Sequence, residues 1–281
     1  MSMSEPADLA ADTAVQPLSD APGRYTAHLP EAWNYLTPSG GVLMTVALRA
    51  MQAEVPQLRP VSATALFCSP VPAGPLDIRV KVLRHGRVAA QLRAHLASSR
   101  APGPGLEVSA TFARQLEGPC GTFVAMPADI APPAASRVPP DEQRPWRPNF
   151  LRNFDWRVGL GYVQGEQWAP AAPRHARWYR YRVPQRLADG RLDPLCIPPI
   201  ADTMPAALAM ALGSERRFYA PSLDLTVHFL ADTTHEWLCA HSTCRAARSG
   251  YATADVEIWD NTGHLVAFGT QMMLLKAPRA G

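Results

Sequence analysis

The chain has 281 residues, of which 47% are hydrophobic and 18% are charged. This is the composition of a globular protein, and the length is that at which a single core begins to divide into two domains. With 27 basic and 24 acidic residues, the formal net charge of +3 is too balanced to indicate a nucleic-acid partner.

Three further features exclude other classes. The first eight residues lack the basic and apolar runs of a secretory signal. The most apolar stretch, residues 195–212, is interrupted by Asp202 and three prolines, which argues against a membrane span. Five scattered cysteines form no metal-binding or disulfide pattern, so we expect free thiols and a cytoplasmic location.

The first half of the chain predicts one helix followed by β-strands. A loop rich in glycine and proline precedes an Ala-, Leu- and Met-rich segment, Gly41–Met51, which favours helix. Extended segments follow at residues 64–67, 76–83 and 84–92, with a turn between the first two.

Residues 117–148 contain eight prolines and show no periodic pattern. Proline is rejected by the interiors of helices and sheets, so this segment predicts a partly extended linker that packs on the surface. We therefore predict an N-terminal domain over 1–116, the linker over 117–148 and a C-terminal domain over 149–281.

The second half repeats the order of the first. A helix is predicted over Thr203–Leu212, and Ser222–Leu230 alternates between apolar and polar residues as a half-buried strand does. In this alternation Ser222 and His228 share a face. Further strands are predicted at residues 236–242, 251–259 and 265–275, the last two joined by an Asp260–Gly263 hairpin turn.

The halves also share local sequence. Phe67 and Phe229 are 162 residues apart and Gly86 and Gly250 are 164 apart, so one two-residue gap aligns them. This weak internal repeat predicts a duplicated α+β domain in which a helix packs on an antiparallel sheet.

On these segments the sequence resembles the acyl-CoA thioesterase II family, which has the double hot-dog fold: two tandem antiparallel sheets, each wrapping one long helix. The resemblance runs from about Tyr25 to Lys276. The motifs that carry it are Thr37–Gly41, Leu83–Arg87, Ala201–Pro205, Pro221–Phe229 and Gly263–Gln271.

The resemblance implies a catalytic Asp, Ser or Thr, and Gln in the second half, which are Asp202, Ser222 and Gln271 here. Ser222 is preferred over Thr226 because the family's hydroxyl stands two residues before an Asp, matched by Asp224. These residues would activate a water, and the backbone of Gly40 and Gly41 at a helix start would meet the oxyanion. The alternatives are structural: a helix cap for Asp202, ordinary strand positions for Ser222 and Gln271, and a tight turn for the glycines.

The resemblance implies an enzyme that hydrolyses acyl-CoA thioesters in fatty acid metabolism, with acyl-CoA as its partner, no cofactor and no metal. The alternative function is a non-catalytic acyl-CoA binding protein that keeps the fold. A hydratase is disfavoured because no histidine follows Asp202 closely. The run Trp178–Arg182 is interpreted as an edge strand with solvated arginines rather than a nucleic-acid surface, and association into a homo-oligomer stays open.

Overall fold

The computed structural model describes residues 6–139, 148–163 and 165–277. In this part of the chain, twelve strands form one antiparallel sheet and five segments are α-helical. The helices are α1 (Leu9–Asp12), α2 (Gly40–Glu54), α3 (Asn149–Arg152), α4 (Ile197–Ala201) and α5 (Pro205–Leu212). The strands of the first half are β1 (Gln16–Pro17), β2 (Arg24–Leu29), β3 (Arg59–Phe67), β4 (Gly74–His85), β5 (Ala89–Ser98) and β6 (Leu106–Ala113). Those of the second half are β7 (Phe154–Leu160), β8 (Arg174–Tyr181), β9 (Asp224–Phe229), β10 (Leu238–Arg248), β11 (Tyr251–Asp260) and β12 (Leu265–Leu274).

The two halves form one continuous sheet rather than two separate ones. Its strand order is β1-β2-β4-β5-β6-β3-β9-β12-β11-β10-β8-β7, in which each half mirrors the other. The halves meet where β3 pairs with β9, and Thr64 lies directly opposite Thr226 with their hydroxyls 2.9 Å apart. These two residues are 162 positions apart, the offset of the sequence repeat. The duplication therefore forms a pseudo-twofold arrangement about this pair.

Helix α2 is the core helix of the first half. It begins one residue before the predicted helix and ends three residues after it. Its side chains are buried on nearly every side, because the sheet covers one face and α4 from the second half packs against another. Gly41 permits this helix contact: an added Cβ would lie 2.2 Å from the Pro198 carbonyl oxygen.

The second half lacks the single long helix that the sequence predicts. Its helical segment is divided into α4 and α5, and Asp202, Thr203 and Met204 lie between them. Pro205 explains the break, because proline has no N–H for a helical hydrogen bond and is best tolerated in a first turn. The predicted helix over Thr203–Leu212 is thus corrected to Pro205–Leu212.

One segment of the described residues, Pro194–Leu212, is long and apolar enough to cross a membrane by length and composition alone. It includes α4 and α5, and 61% of it is buried within the fold, as is common for core helices.

The later part of the Pro-rich segment, residues 126–138, packs on the outer face of the second half, whereas residues 117–125 are exposed. The Ala131 carbonyl accepts a 2.8 Å hydrogen bond from Trp178 Nε1, and Ile130 packs in the same apolar cluster as Trp178. Arg137 then forms a two-way backbone bridge with Val158 of β7. The rest of the predicted linker includes residues 140–147, which lie outside the described part.

The interpretation of residues 178–182 as an edge strand is wrong. They belong mainly to β8, which pairs with β10 on one side and β7 on the other. Arg180 and Arg182 are partly exposed and pair with Asp155, whereas Arg177 on the opposite face of the strand is buried.

Candidate active site

The Asp202 carboxylate lies at the junction of the two halves. Asp202 follows α4, and its backbone N–H donates to the Pro198 carbonyl, so it ends one helix rather than opening the next. Its Oδ1 accepts hydrogen bonds from Ser222 Oγ at 2.9 Å and from Gln271 Nε2 at 2.6 Å. Gln271 Nε2 also lies 2.6 Å from Ser222 Oγ. The structure thus brings together all three side chains that the family resemblance implies.

A register shift turns Ser222 toward this cluster. Thr226 pairs with Thr270 in the regular β9–β12 ladder, whereas Ser222 lies opposite Met273, one residue out of that register. The Asp224 side chain occupies the irregularity and accepts from the Met272 N–H at 2.9 Å. A one-residue shift turns a side chain to the opposite face of a sheet. The predicted shared face of Ser222 and His228 is therefore wrong, because His228 is exposed and Ser222 reaches Asp202.

Gln271 is fixed by the alternation of β12. It is 1% exposed and shares the helix-facing side of the strand with Gly269 and Met273. An ionised carboxylate only accepts hydrogen bonds, so the amide must present its nitrogen to Asp202. Its Oε1 is then a buried acceptor with no hydrogen-bond partner in the described part of the chain.

The first half completes the cluster. Asp202 Oδ2 accepts from the Gly41 N–H at 2.9 Å and from Ser39 Oγ at 3.3 Å. Both residues lie at the start of α2, where the helix dipole favours a negative charge. Gly40 is in close contact as well, since an added Cβ would lie 3.1 Å from Asp202 Oδ2. Because the Gly41 N–H is already donated to a carboxylate, the role of Gly40 and Gly41 in binding an oxyanion stays a prediction.

Burial dominates the electrostatics of Asp202. It raises the pKa of this carboxyl above its usual range, while the hydrogen bonds from Gly41, Ser222, Gln271 and Ser39 lower it in part. A carboxylate with a raised pKa is a stronger base than one in water and still becomes ionised when its neighbours donate to it. This arrangement can therefore accept a proton.

Sequence analysis did not assign Ser39 a role, although it lies within the Thr37–Gly41 motif. A serine directly before a glycine-led helix is the available signal, because serine is favoured at helix starts. Its side chain bonds the other half's carboxylate instead of its own helix. No group of three or more His, Cys, Asp or Glu residues in the described ranges could hold a metal ion.

The fold defines a protein of the hot-dog class. A protein with a hot-dog fold from Alicyclobacillus acidocaldarius superposes with a TM-score of 0.80 at 21% identity, covering 96% of this chain and 98% of its own. An acyl-CoA thioesterase II from Mycobacterium marinum gives 0.75 at 20% identity, covering 97% and 99%. A putative thioesterase II from Thermobifida fusca gives 0.75 at 24% identity, covering 98% and 99%. The double hot-dog α+β fold is thereby confirmed.

The family is identified by comparing the sequence with models of protein families. Residues 29–114 match the acyl-CoA thioesterase N-terminal domain, and residues 127–275 match the acyl-CoA thioesterase C-terminal domain. The chain belongs to the acyl-CoA thioesterase family, as the sequence motifs predict, and its enzyme class is that of thioester hydrolases. No curated protein matches this chain.

Proposed function

We propose that this protein hydrolyses acyl-CoA thioesters to a free acid and coenzyme A, with Asp202 as the general base. One observation carries the proposal: the buried Asp202 carboxylate is bonded to Ser222 and Gln271, two groups remote in sequence, at a junction between halves. A structural helix cap needs neither of these partners.

In the proposed reaction, a water molecule attacks the thioester carbonyl carbon while Asp202 takes one of its protons. Gln271 Oε1, a buried acceptor in need of a donor, would hold the other O–H of this water. The contact from Ser39 is the longest to Asp202, so it is the bond that the water would displace. The tetrahedral intermediate then breaks its C–S bond, and the proton passes to the departing thiolate.

Four further expectations belong to this proposal. Acyl-CoA is the partner, and no cofactor or metal takes part. The domain bounds 1–116, 117–148 and 149–281 are retained as a working division. A cytoplasmic location is supported by the five cysteines, which are free.

The test measures thiol release from a series of acyl-CoAs. Asp202→Asn keeps the size of the side chain but removes the base, so kcat should fall on the order of 1,000-fold, the usual contribution of a general base. Ser222→Ala and Gln271→Ala should each reduce kcat by a smaller factor.

The control is Asp155→Asn, which removes a partly exposed carboxylate of β7 that pairs with Arg180 and Arg182, away from this cluster. It should retain wild-type kcat. Wild-type protein that binds acyl-CoA tightly without releasing thiol would support the binding-protein alternative. Equal rates for wild type and Asp202→Asn would exclude Asp202 as the base.

A further inference from the structure

Arg177 is a buried cation that the proposed reaction does not use. It is 8% exposed, and its Nε has no hydrogen-bond partner in the described residues. Its guanidinium lies over the Trp156 ring, 4.6 Å from the centroid, and its Nη1 donates to the Tyr179 hydroxyl at 3.3 Å. No carboxylate in the described ranges pairs with it, although other arginines of the same strand do have acidic partners. A buried charge without a counter-ion is costly, so its presence calls for an anionic partner.

The surroundings of Arg177 are rich in hydrogen-bond donors and poor in negative charge. Burial alone would lower the pKa of Arg177, but its neighbour Tyr179, which accepts a hydrogen bond from it, raises the pKa, and an arginine guanidinium does not lose its proton in proteins. His175, two residues along the strand, has its pKa lowered to about 3, mainly by burial, and is therefore neutral. The phenol pKa values of Tyr35 and Tyr162 are raised, chiefly by burial, so both remain protonated donors. This is the chemistry of an anion site.

Two contacts place β8, which carries Arg177, alongside the break between α4 and α5 where Asp202 lies. At one end of β8, the Tyr181 hydroxyl donates to the Cys196 carbonyl, just before α4. At the other end, an added Cβ on Gly161 would meet both His175 and Met210, near the end of α5. The two short helices thus run antiparallel to β8, and Arg177 lies between these anchors, as Asp202 does on the helix side.

Tyr35 connects the two groups. Tyr35 stands four residues before Ser39, whose side chain bonds Asp202. Burial raises the pKa of the Tyr35 phenol, and the charges of Arg177 and Asp202 act on that pKa in opposite directions. Its ring stacks on Phe150, with centroids 4.6 Å apart. An acyl group bound with its thioester at Asp202 would then run along the helix-facing side of β8, which carries Arg177.

We propose that Arg177 binds a carboxylate at the far end of the acyl group, so that the preferred substrates are CoA thioesters of dicarboxylic acids. This inference rests on the proposed function, since it names the substrate class of the same site. The carboxylate would accept two hydrogen bonds from the guanidinium and further ones from the surrounding tyrosines. A phosphate of coenzyme A is a poorer fit, because that large charged group is held at a surface and Arg177 is not exposed.

The experiment compares kcat/KM for dicarboxylyl-CoAs of four to eight carbons with that for monocarboxylyl-CoAs of the same length. The ratio should exceed one for at least one chain length in the wild type. In Arg177→Met, whose unbranched side chain can still pack on Trp156, this ratio should fall on the order of 100-fold, as for loss of a desolvated charge pair. Arg177→Lys should recover part of it.

Arg180→Met is the matched control, because Arg180 lies on the same strand but faces away and pairs with Asp155. Its ratio of kcat/KM for dicarboxylyl-CoAs to kcat/KM for monocarboxylyl-CoAs should equal that of the wild type. A ratio that is the same in wild type and Arg177→Met would overturn the inference while leaving thioester hydrolysis intact.

If the wild type hydrolyses neither series, the proposed function fails and calorimetry decides the inference. Free adipate and its neighbours in length should bind the wild type and not Arg177→Met. Equal binding to both, or binding to neither, would contradict a carboxylate site at Arg177. Thermal unfolding of the wild type and Arg177→Met shows whether the variant is folded. If Arg177→Met is unfolded, Arg177→Lys replaces it in the same comparison.

Discussion

At the scale of single residues, the site depends on how the buried Asp202 carboxylate is kept ionised. Four donors surround Asp202, two from each half of the chain. Burial raises the pKa of Asp202 and the donors lower it, so the population of the basic form at a given pH reflects the balance of the two. Each donor removed should shift this balance toward the protonated acid.

This balance predicts a shifted pH profile in Ser39→Ala. The general base is active when ionised, so the rate should rise with pH through the pKa of Asp202. Loss of the Ser39 hydrogen bond raises this pKa further in the free enzyme, and the acid limb of kcat/KM should move to higher pH. The profile of kcat/KM against pH measures the shift, with Ser109→Ala, at an exposed position of β6, as the control. An unmoved limb would mean that Ser39 does not act on the base.

At the scale of secondary-structure elements, the site depends on the close approach of α2 and α4. The start of α2 supplies Ser39 and the Gly41 N–H, and the end of α4 supplies Asp202. Gly41 lets the two backbones touch, since the Pro198 carbonyl occupies the space that a side chain would need. Backbone carbonyls cannot move aside as flexible side chains can, so the substitution must displace a helix.

Gly41→Ala should therefore reduce both stability and activity. We expect a loss of about 2 kcal/mol in the free energy of unfolding, the usual cost of an overpacked core. Urea denaturation measures this loss of stability. Thiol release from acyl-CoA measures the loss of activity that displacement of Asp202 should cause. Gly118→Ala is the matched control, because an added Cβ there meets nothing within 4 Å. Wild-type stability in Gly41→Ala would show that the helices separate without cost.

At the scale of the whole molecule, the halves are joined by more than the linker. They share the β3–β9 ladder and the α2–α4 contact. They also share an ion pair in which Arg49 of α2 binds Asp193 at 2.7 Å, with only 9% of the Asp193 side chain exposed. The Asp202 carboxylate lies on this interface, so the cluster of the second half is incomplete without the first, even though the second half carries all three side chains that the family resemblance implies.

Arg49→Met should destabilise the intact chain by about 2 kcal/mol, because it leaves the largely buried Asp193 charge unpaired. The double variant Arg49→Met with Asp193→Asn should recover part of the loss. Chemical denaturation followed by fluorescence and circular dichroism tests both, and coincident transitions would show that the halves unfold together. An additive double variant would show that the two residues are not coupled.

Local features of the fold can be predicted from the sequence, whereas features that depend on contacts between distant residues cannot. The alternation of β9 correctly predicts burial of Leu225, Val227 and Phe229, and the Asp260–Gly263 turn joins β11 to β12 as expected. The repeat offset even matches the pairing of Thr64 with Thr226.

Other features could not be derived from local pattern. The Ser222 register shift is set by pairing with β12, and strict alternation would place its side chain on the wrong face. Burial of Arg177 depends on aromatic residues elsewhere in the chain, so a run of basic and aromatic residues resembles a solvated strand. The family resemblance located Asp202, Ser222 and Gln271, which residue patterns alone would have assigned to structural roles.

The ends of the sheet have a consequence for solubility and assembly. A twelve-stranded ribbon could recruit neighbouring molecules through unpaired amides at either margin. At one margin β1 is two residues long and ends in Pro17, which offers no amide proton. At the other, Arg137 occupies part of the outer rim of β7 through its bridge to Val158. The molecule therefore disfavours strand-by-strand aggregation at both margins of the sheet.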